Sequence, residues 1–336
     1  MKNIRILEGT YKIRGKDVEL QGMVFPLVEE FKVGAAGGYV TVDGKAVAGF
    51  PDRNIKIKCN SADAYEDAGN SKITKREETD EETIERLRER FDMLEDMTRA
   101  AKKGDVRAMI VSGPPGVGKS FGVEKVLGKH ELLADIAGNS RLKKYEVVKG
   151  AMSAIGLYVK LYKHADKDNV LVFDDCDSIF SDELSLNILK AALDSKKTRK
   201  IHWNTDSFKL RNEGVPDSFE FKGSAIFITN IKFDNVKSKK MRDHLEALES
   251  RCHYIDLTID TDREKMLRIQ QITKDGMLDE YALGDEVVQE IVEYIDMNKK
   301  KLRELSLRTV LKVADLAKAF PTKWEAMAEN TVMRRA

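Results

Sequence analysis

The chain has 336 residues, with 58 Lys and Arg against 57 Asp and Glu, for a formal net charge of +1. Charged residues make up 34% of it, and the length suits about two domains with a core that needs no staples. This balance excludes a chain basic throughout, though not a local basic face, and no apolar run approaches the ~20 residues of a membrane-spanning helix.

Residues 1–70 are rich in glycine and β-formers. Tyr39-Val40-Thr41-Val42-Asp43-Gly44-Lys45-Ala46-Val47 reads as two short strands around an Asp-Gly hairpin turn. Asn54-Ile55-Lys56-Ile57-Lys58-Cys59 alternates polar and apolar residues, as a half-buried strand does. A small β-rich N-terminal domain is therefore expected over 1–70. The polar stretch from Asn60 to Thr79 reads as a linker. Beyond it, Ile84, Leu87, Phe91, Leu94 and Met97 recur at three- and four-residue spacing, which predicts an amphipathic helix. Its other face is acidic: residues 77–96 hold ten Asp/Glu against three Arg, a local net of −7. Such a run reads first as a solvated helix face. Linker and helix together fill 71–105.

From residue 106 the pattern changes to alternating strands and helices. Val106–Val111, Tyr145–Val148, Val170–Phe173 and Ala225–Ile228 read as buried strands, with helices over Ser153–His164 and Asp182–Asp194. Strands separated by helices imply right-handed crossovers and a parallel sheet covered on both faces. An α/β core is expected over 106–259. After it the chain is helical in pattern, with three amphipathic runs forming a small domain over 260–336.

Gly113-Pro114-Pro115-Gly116-Val117-Gly118-Lys119-Ser120 fits GxxxxGK[ST] between a buried strand and a helix. Glycines let the backbone curl so that successive N–H groups point into an anion-sized concavity. The helix that starts near Lys119 presents its positive end to the same anion. Lys119 would reach the β- and γ-phosphates of ATP, and Ser120 would ligate Mg²⁺. Val170-Leu171-Val172-Phe173-Asp174-Asp175 then places two carboxylates at the C-terminal end of an apolar strand, the edge at which open parallel sheets bind ligands. One carboxylate there holds the Mg²⁺ shell, and its neighbour polarises an attacking water.

With these two motifs the chain resembles the AAA+ family of P-loop ATPases across roughly residues 85–330. The resemblance implies an α/β nucleotide core with a helical lid. It also implies that Asp174 holds Mg²⁺ and that Asp175 is the catalytic base, where the family usually has the longer Glu. Asp177 is a less favoured substitute. Ala225-Ile226-Phe227-Ile228-Thr229-Asn230 resembles the sensor 1 strand, whose terminal Asn positions the attacking water. Leu248-Glu249-Ser250-Arg251-Cys252 resembles the arginine-finger motif, and Ser-Arg-Cys recurs in sliding-clamp loaders. In the family this finger acts on ATP of a neighbouring subunit, which implies a homo-oligomeric ring, such as a hexamer, with head-to-tail contacts. Leu305-Ser306-Leu307-Arg308-Thr309 resembles sensor 2, with Arg303 as the competitor for Arg308.

The object of the motor is less defined. Residues 190–242 hold thirteen Lys/Arg and six Asp/Glu, a local net of +7. They include Lys196-Lys197-Thr198-Arg199-Lys200, with Trp203 and Phe208 as stacking candidates, which favours DNA or nucleoprotein as the partner. A solvated loop and an acidic face on a neighbouring subunit are the alternatives. Lys149-Gly150-Ala151-Met152-Ser153 lies where family members project a pore loop. Protein-translocating members place an aromatic residue there, whereas this loop offers Met152, and Tyr158 and Tyr162 fall in the following helix. Protein remodelling and a slow nucleotide-gated scaffold stay open as alternatives. Cys59, Cys176 and Cys252 form no CxxC pair and suit free thiols in a reducing cytoplasm. The compact single-module organisation is similar to bacteriophage ATPases, which would put the protein in a host cytoplasm.

Overall fold

Alternation of apolar and polar residues builds the N-terminal sheet. The computed structural model of the chain describes residues 2–13, 15–35, 37–47, 50, 54–69, 71, 78–128, 145–231, 233 and 238–334. These fall into two compact units, Met1–Glu82 and Thr83–Ala336. The first holds β1 (Asn3–Ile6), β2 (Thr10–Ile13), β3 (Lys16–Glu19), β4 (Val24–Gly34), β5 (Gly37–Asp43), β6 (Asn54–Lys58) and β7 (Tyr65–Asp67). They lie in the order β3-β2-β6-β5-β4-β1-β7, with antiparallel neighbours throughout. In β6 the alternation is complete: Ile55 and Ile57 are buried, while Asn54, Lys56 and Lys58 face outward.

Two local expectations fail in this unit. The strand at Tyr39–Asp43 does not fold back through Asp43-Gly44. Instead Gly44–Ala46 forms one 3₁₀ turn, because the Asp43 carboxylate accepts from the Lys45 N–H at 3.1 Å, diverting an amide that a second strand would pair. The partner of β5 on that side is β6, which begins only at Asn54. Nor is the stretch from Asn60 onward only a linker. Tyr65–Asp67 pairs with β1 as an edge strand, anchored where the Leu7 and Glu8 N–H groups both donate to the Ala64 carbonyl. Residues 72–77 of the expected linker, and Lys232 and Lys237 of the basic segment, lie outside the described residues.

The long helix α1 (Asp80–Lys102) enters the second unit at Thr83. Its buried positions there, Leu87, Phe91, Leu94, Thr98 and Ala101, repeat at three- and four-residue spacing. There follow β8 (Ala108–Ser112), α2 (Lys119–Gly128), β9 (Tyr145–Lys149), α3 (Ala154–Lys163), β10 (Val170–Asp174), α4 (Ser178–Ser181) and α5 (Glu183–Ala192). Next come β11 (Lys200–His202), α6 (Phe208–Asn212), β12 (Ser218–Glu220), β13 (Ser224–Thr229), α7 (Lys239–Glu249) and β14 (His253–Asp256). Five of these strands form a parallel sheet in the order β14-β8-β13-β10-β9.

Every residue of β8, β10 and β13 is buried. Alternate residues serve opposite faces: Ile110, Phe173 and Phe227 pack with α3 and α5, whereas Met109, Val172 and Ile228 pack with α1 and α2. That is why these strands read as unbroken apolar runs. The hairpin of β11 and β12, inserted before β13, has no counterpart in the strands expected from sequence. It consumes part of the basic segment. Arg199 is 6% exposed, donating to the Ala192 and Gly223 carbonyls beneath the Phe221 ring. Trp203 packs on Tyr158, with ring centroids 5.5 Å apart, and its indole N–H is buried. Neither is placed to meet a nucleic acid, whereas Phe208 is 73% exposed.

The C-terminal part is all helical: α8 (Asp262–Lys274), α9 (Asp285–Asn298), α10 (Leu307–Ala319) and α11 (Trp324–Val332). A capping box of Thr261 and Glu264 starts α8. The fourth helix adds Trp324, whose ring meets Tyr294 edge-on at 5.3 Å. Among the described residues no helix is long and apolar enough to cross a membrane.

Candidate active site

The chain leaves β8, the strand next to edge strand β14 in the parallel sheet, curls through Gly113–Gly118 and enters helix at Lys119. Gly116 and Gly118 take φ of +70° and +100°, which side chains of L-residues rarely adopt. A Cβ on Gly116 would lie 2.6 Å from the Ser306 Cβ, so the loop also needs glycine for room. Val117 is buried and anchors the loop, while Pro115 is exposed at its tip. Lys119 is 6% exposed. Its Nζ donates to the Gly113 carbonyl at 2.7 Å, the Pro114 carbonyl at 2.8 Å and Asn230 Oδ1 at 2.8 Å. Burial pushes its pKa from 10.5 down to about 8, with Asp175 pulling the other way. A cation desolvated in this way, facing a concave backbone loop, is suited to a polyphosphate.

Strand β10 delivers Asp174 and Asp175 to the same sheet edge. Asp174 is 4% exposed, and its Oδ1 accepts from Ser120 Oγ at 2.9 Å. A hydroxyl and a carboxylate together make an all-oxygen donor pair, which fits a hard divalent cation sharing phosphate oxygens. Asp175 follows with φ of +53°, its N–H donating to the Ile228 carbonyl at 3.0 Å. That left-handed turn is a strained conformation that Asp tolerates better than most residues. Asp175 Oδ1 accepts from Asn230 Nδ2 at 2.9 Å. Lys119, Asn230 and Asp175 thus form one hydrogen-bonded chain across the ends of three elements. Asp177 is placed otherwise: Thr229, buried at the end of β13, donates to it at 2.6 Å, and burial raises its pKa. Its carboxylate braces β13 against the turn after β10.

The lid meets the loop directly. The Leu307 N–H, at the start of α10, donates to the Gly116 carbonyl at 2.9 Å. Arg308 is exposed on the next position, and its charge acts on Lys119. Arg303 instead donates from Nε to the Met333 carbonyl at 2.9 Å, which ties it to the end of α11. Arg251 stands apart from this cluster. It is exposed at the end of α7, and its guanidinium donates to the Ala247 carbonyl and the Ser250 hydroxyl.

Sequence patterns gave several neighbours of this site no role in it, although Lys149 falls in the expected pore loop and Ser306 in the sensor 2 motif. Lys149 lies 3.1 Å from Asp174 and 2.9 Å from Glu124. Arg268 sits 3.5 Å over the Phe91 ring beside Gly118, and burial lowers its pKa to about 10. Ser306 Oγ and one oxygen of Glu304 are buried against Gly116 without a hydrogen-bond partner among the described residues. Lys149 ends a strand that its apolar run predicts, so its approach to Asp174 follows from strand order. The contacts of Arg268, Ser306 and Glu304 depend on how the lid packs, and no linear motif records that.

A family model described as "ATPase family associated with various cellular activities (AAA)" matches residues 109–246. A protein of Enterobacteria phage T4, described as "Uncharacterized 36.7 kDa protein in nrdC-mobD intergenic region", is 34% identical over 335 residues, which is 98% of this chain and 97% of that protein. Among solved structures, the replication initiator DnaA bound to AMPPCP and single-stranded DNA matches with a TM-score of 0.39 and 13% identity, over 71% of this chain and 63% of that one. Domain III of the Thermotoga maritima replication initiation protein DnaA gives a TM-score of 0.41 and 11% identity, over 73% of this chain and 92% of that one.

Proposed function

The chain belongs to the AAA+ ATPase family, and from that premise we propose that it hydrolyses ATP with Mg²⁺ at the site just described. The observation that carries this reading is the chain from Lys119 through Asn230 to Asp175, set beside the Ser120–Asp174 pair. It joins a cation suited to phosphate, a polar positioning group and a carboxylate at the sheet edge. Mg²⁺, when bound, draws charge from the phosphate oxygens.

The protein groups divide the rest of the work. The loop N–H groups and Lys119 hold the phosphates, with Ser120 and Asp174 supplying the metal's protein oxygens. The Asp175 carboxylate accepts a proton from the attacking water, and Asn230 orients both carboxylate and water. Arg308 reaches the γ-phosphate from the lid. Arg251, exposed and remote from these groups, suits action on a site in a neighbouring subunit of a ring. Its planar guanidinium matches the spread charge of phosphoryl transfer.

For the object of the motor, DNA or nucleoprotein is the reading retained. Lys196, Lys197 and Lys200 are exposed at the base of the inserted hairpin that also carries the exposed Phe208. Exposed ammonium groups and an aromatic face suit a phosphate backbone and a base. A protein substrate is the second reading, and Met152, standing in the loop before α3 where protein-translocating members place an aromatic residue, weakens it. Phosphate release should be measured with single-stranded DNA, duplex DNA or an unfolded protein added at low and moderate salt. Stimulation by DNA that fades with salt supports the first reading. Stimulation by the unfolded protein alone replaces it with the second.

A further inference from the structure

Parallel pairing of β9 with β10 sets Lys149 opposite Asp174 at the sheet edge that carries the site. The Lys149 ammonium lies 3.1 Å from Asp174 Oδ2 and 2.9 Å from Glu124 Oε1. Asp174 Oδ1 is already taken by Ser120, so both oxygens of the carboxylate are engaged. The two carboxylates differ in surroundings: the Asp174 side chain is 6% exposed and that of Glu124 is 44% exposed. The backbone on either side of Lys149 is anchored as well. In the loop that follows it, the Met152 N–H donates to Ser178 Oγ at 3.1 Å, and on the residue before it the Val148 carbonyl accepts from Cys176 Sγ at 3.2 Å. The Lys149 side chain is 59% exposed, and its ammonium neutralises the one carboxylate in the candidate metal pair, with Glu124 taking a share of it.

We propose that Lys149 is an internal competitor for the divalent cation at Asp174, and that Glu124 sets the strength of that competition. The inference rests on reading Asp174 as a holder of Mg²⁺. A metal ion alone meets a carboxylate whose charge is already matched, so it binds weakly. A metal ion arriving with phosphate oxygens brings enough ligands to share Asp174 with the ammonium or to displace it toward Glu124. Lys149 thus makes metal occupancy depend on nucleotide.

Removing Lys149 and removing its second partner must act in opposite directions, which gives the test its sign. Binding of a fluorescent ATP analogue is followed by anisotropy as Mg²⁺ is varied, so turnover plays no part in the readout. Lys149→Met lowers the half-effective Mg²⁺ concentration by about three- to tenfold, a size set by one partly exposed charge close to the metal. Glu124→Gln concentrates the ammonium on Asp174 and raises that concentration, while Lys149→Arg stays near wild type. Thermal melts of each variant establish folding at the assay temperature. Shifts below about twofold in both variants, or shifts in the same direction, overturn the inference. Asp174→Asn separates it from the reading beneath it. If that variant keeps the wild-type Mg²⁺ response, Asp174 does not hold the metal. If it loses the response while Lys149→Met and Glu124→Gln leave it unmoved, only the role of Lys149 falls.

Discussion

Asn230 donates from its side-chain amide to the Asp175 carboxylate at 2.9 Å, across the ends of neighbouring strands. The same amide accepts from Lys119 through its oxygen at 2.8 Å. A single residue at the end of β13 therefore holds both the cation proposed to bind phosphate and the carboxylate proposed as base. Asp175 is one methylene shorter than the Glu usual in this family, and its backbone is left-handed just past the end of β10. Asp175→Asn should bind ATP with affinity close to wild type and lose about 10²–10³-fold in turnover, the scale of a lost general base. Asn230→Ala should lose turnover as well, and equal losses in the single and double variants would show that the two act as a unit.

Lys119 gives the site a dependence on pH. Its folded pKa of about 8 lies below the ordinary 10.5, because burial disfavours the charged form. The free protein therefore loses this proton as pH rises through about 8, whereas a bound polyphosphate stabilises the ammonium. ATP affinity should stay level below that pH and fall above it, by up to about tenfold per unit. Binding near pH 8 should take up protons, visible in calorimetry as a heat that changes with the buffer's ionisation enthalpy. Release of protons on binding would contradict the assignment.

Arg251 lies outside the cluster formed by Lys119, Asp174, Asp175, Asn230 and Arg308. Arg251→Ala should bind ATP normally and hydrolyse it at least about 10²-fold more slowly. A mixture of Arg251→Ala and Lys119→Ala proteins should recover part of the activity, since one subunit keeps the loop and its neighbour keeps the finger. Wild-type turnover by Arg251→Ala alone would remove the in-trans assignment, and with it the main support for a ring.

Gly116 tests the docking of the lid. Its φ is positive, and a Cβ there would come within 2.6 Å of Ser306, which leaves no room for a methyl group. Gly116→Ala should lower Tm by a few degrees and weaken ATP binding at least about tenfold, because the Leu307–Gly116 hydrogen bond would have to lengthen. Gly104→Ala is the control, with a similar positive φ of +76° in a turn away from the loop. It should cost stability without affecting ATP affinity.

Much of this site was legible in the linear sequence because its chemistry is local. Lys119 and Ser120 belong to one eight-residue loop, and Asp174 and Asp175 follow one apolar strand. Asn230, Arg251 and Arg308 were selected by order along the chain rather than by local chemistry. What stayed hidden depends on packing between distant segments. The charge run at 196–200 does not show that Arg199 turns inward to cap two carbonyls. Nor does composition show that Trp203 is spent on the Tyr158 cluster while Phe208 is left outside. Asp43-Gly44 carries a hairpin signal, yet the Asp43 side chain captures the Lys45 amide and makes a 3₁₀ turn instead. The approach of Lys149 to Asp174 needs the strand order, which no spacing rule supplies.

Phosphate release from ATP by the purified full chain, measured beside Lys119→Ala under the same conditions, bears most directly on the proposal that this site hydrolyses ATP. Wild-type protein should release phosphate only when Mg²⁺ is present, and Lys119→Ala should fall to background while keeping the wild-type circular dichroism spectrum. Equal Mg²⁺-dependent release by the two proteins would place the hydrolytic site elsewhere.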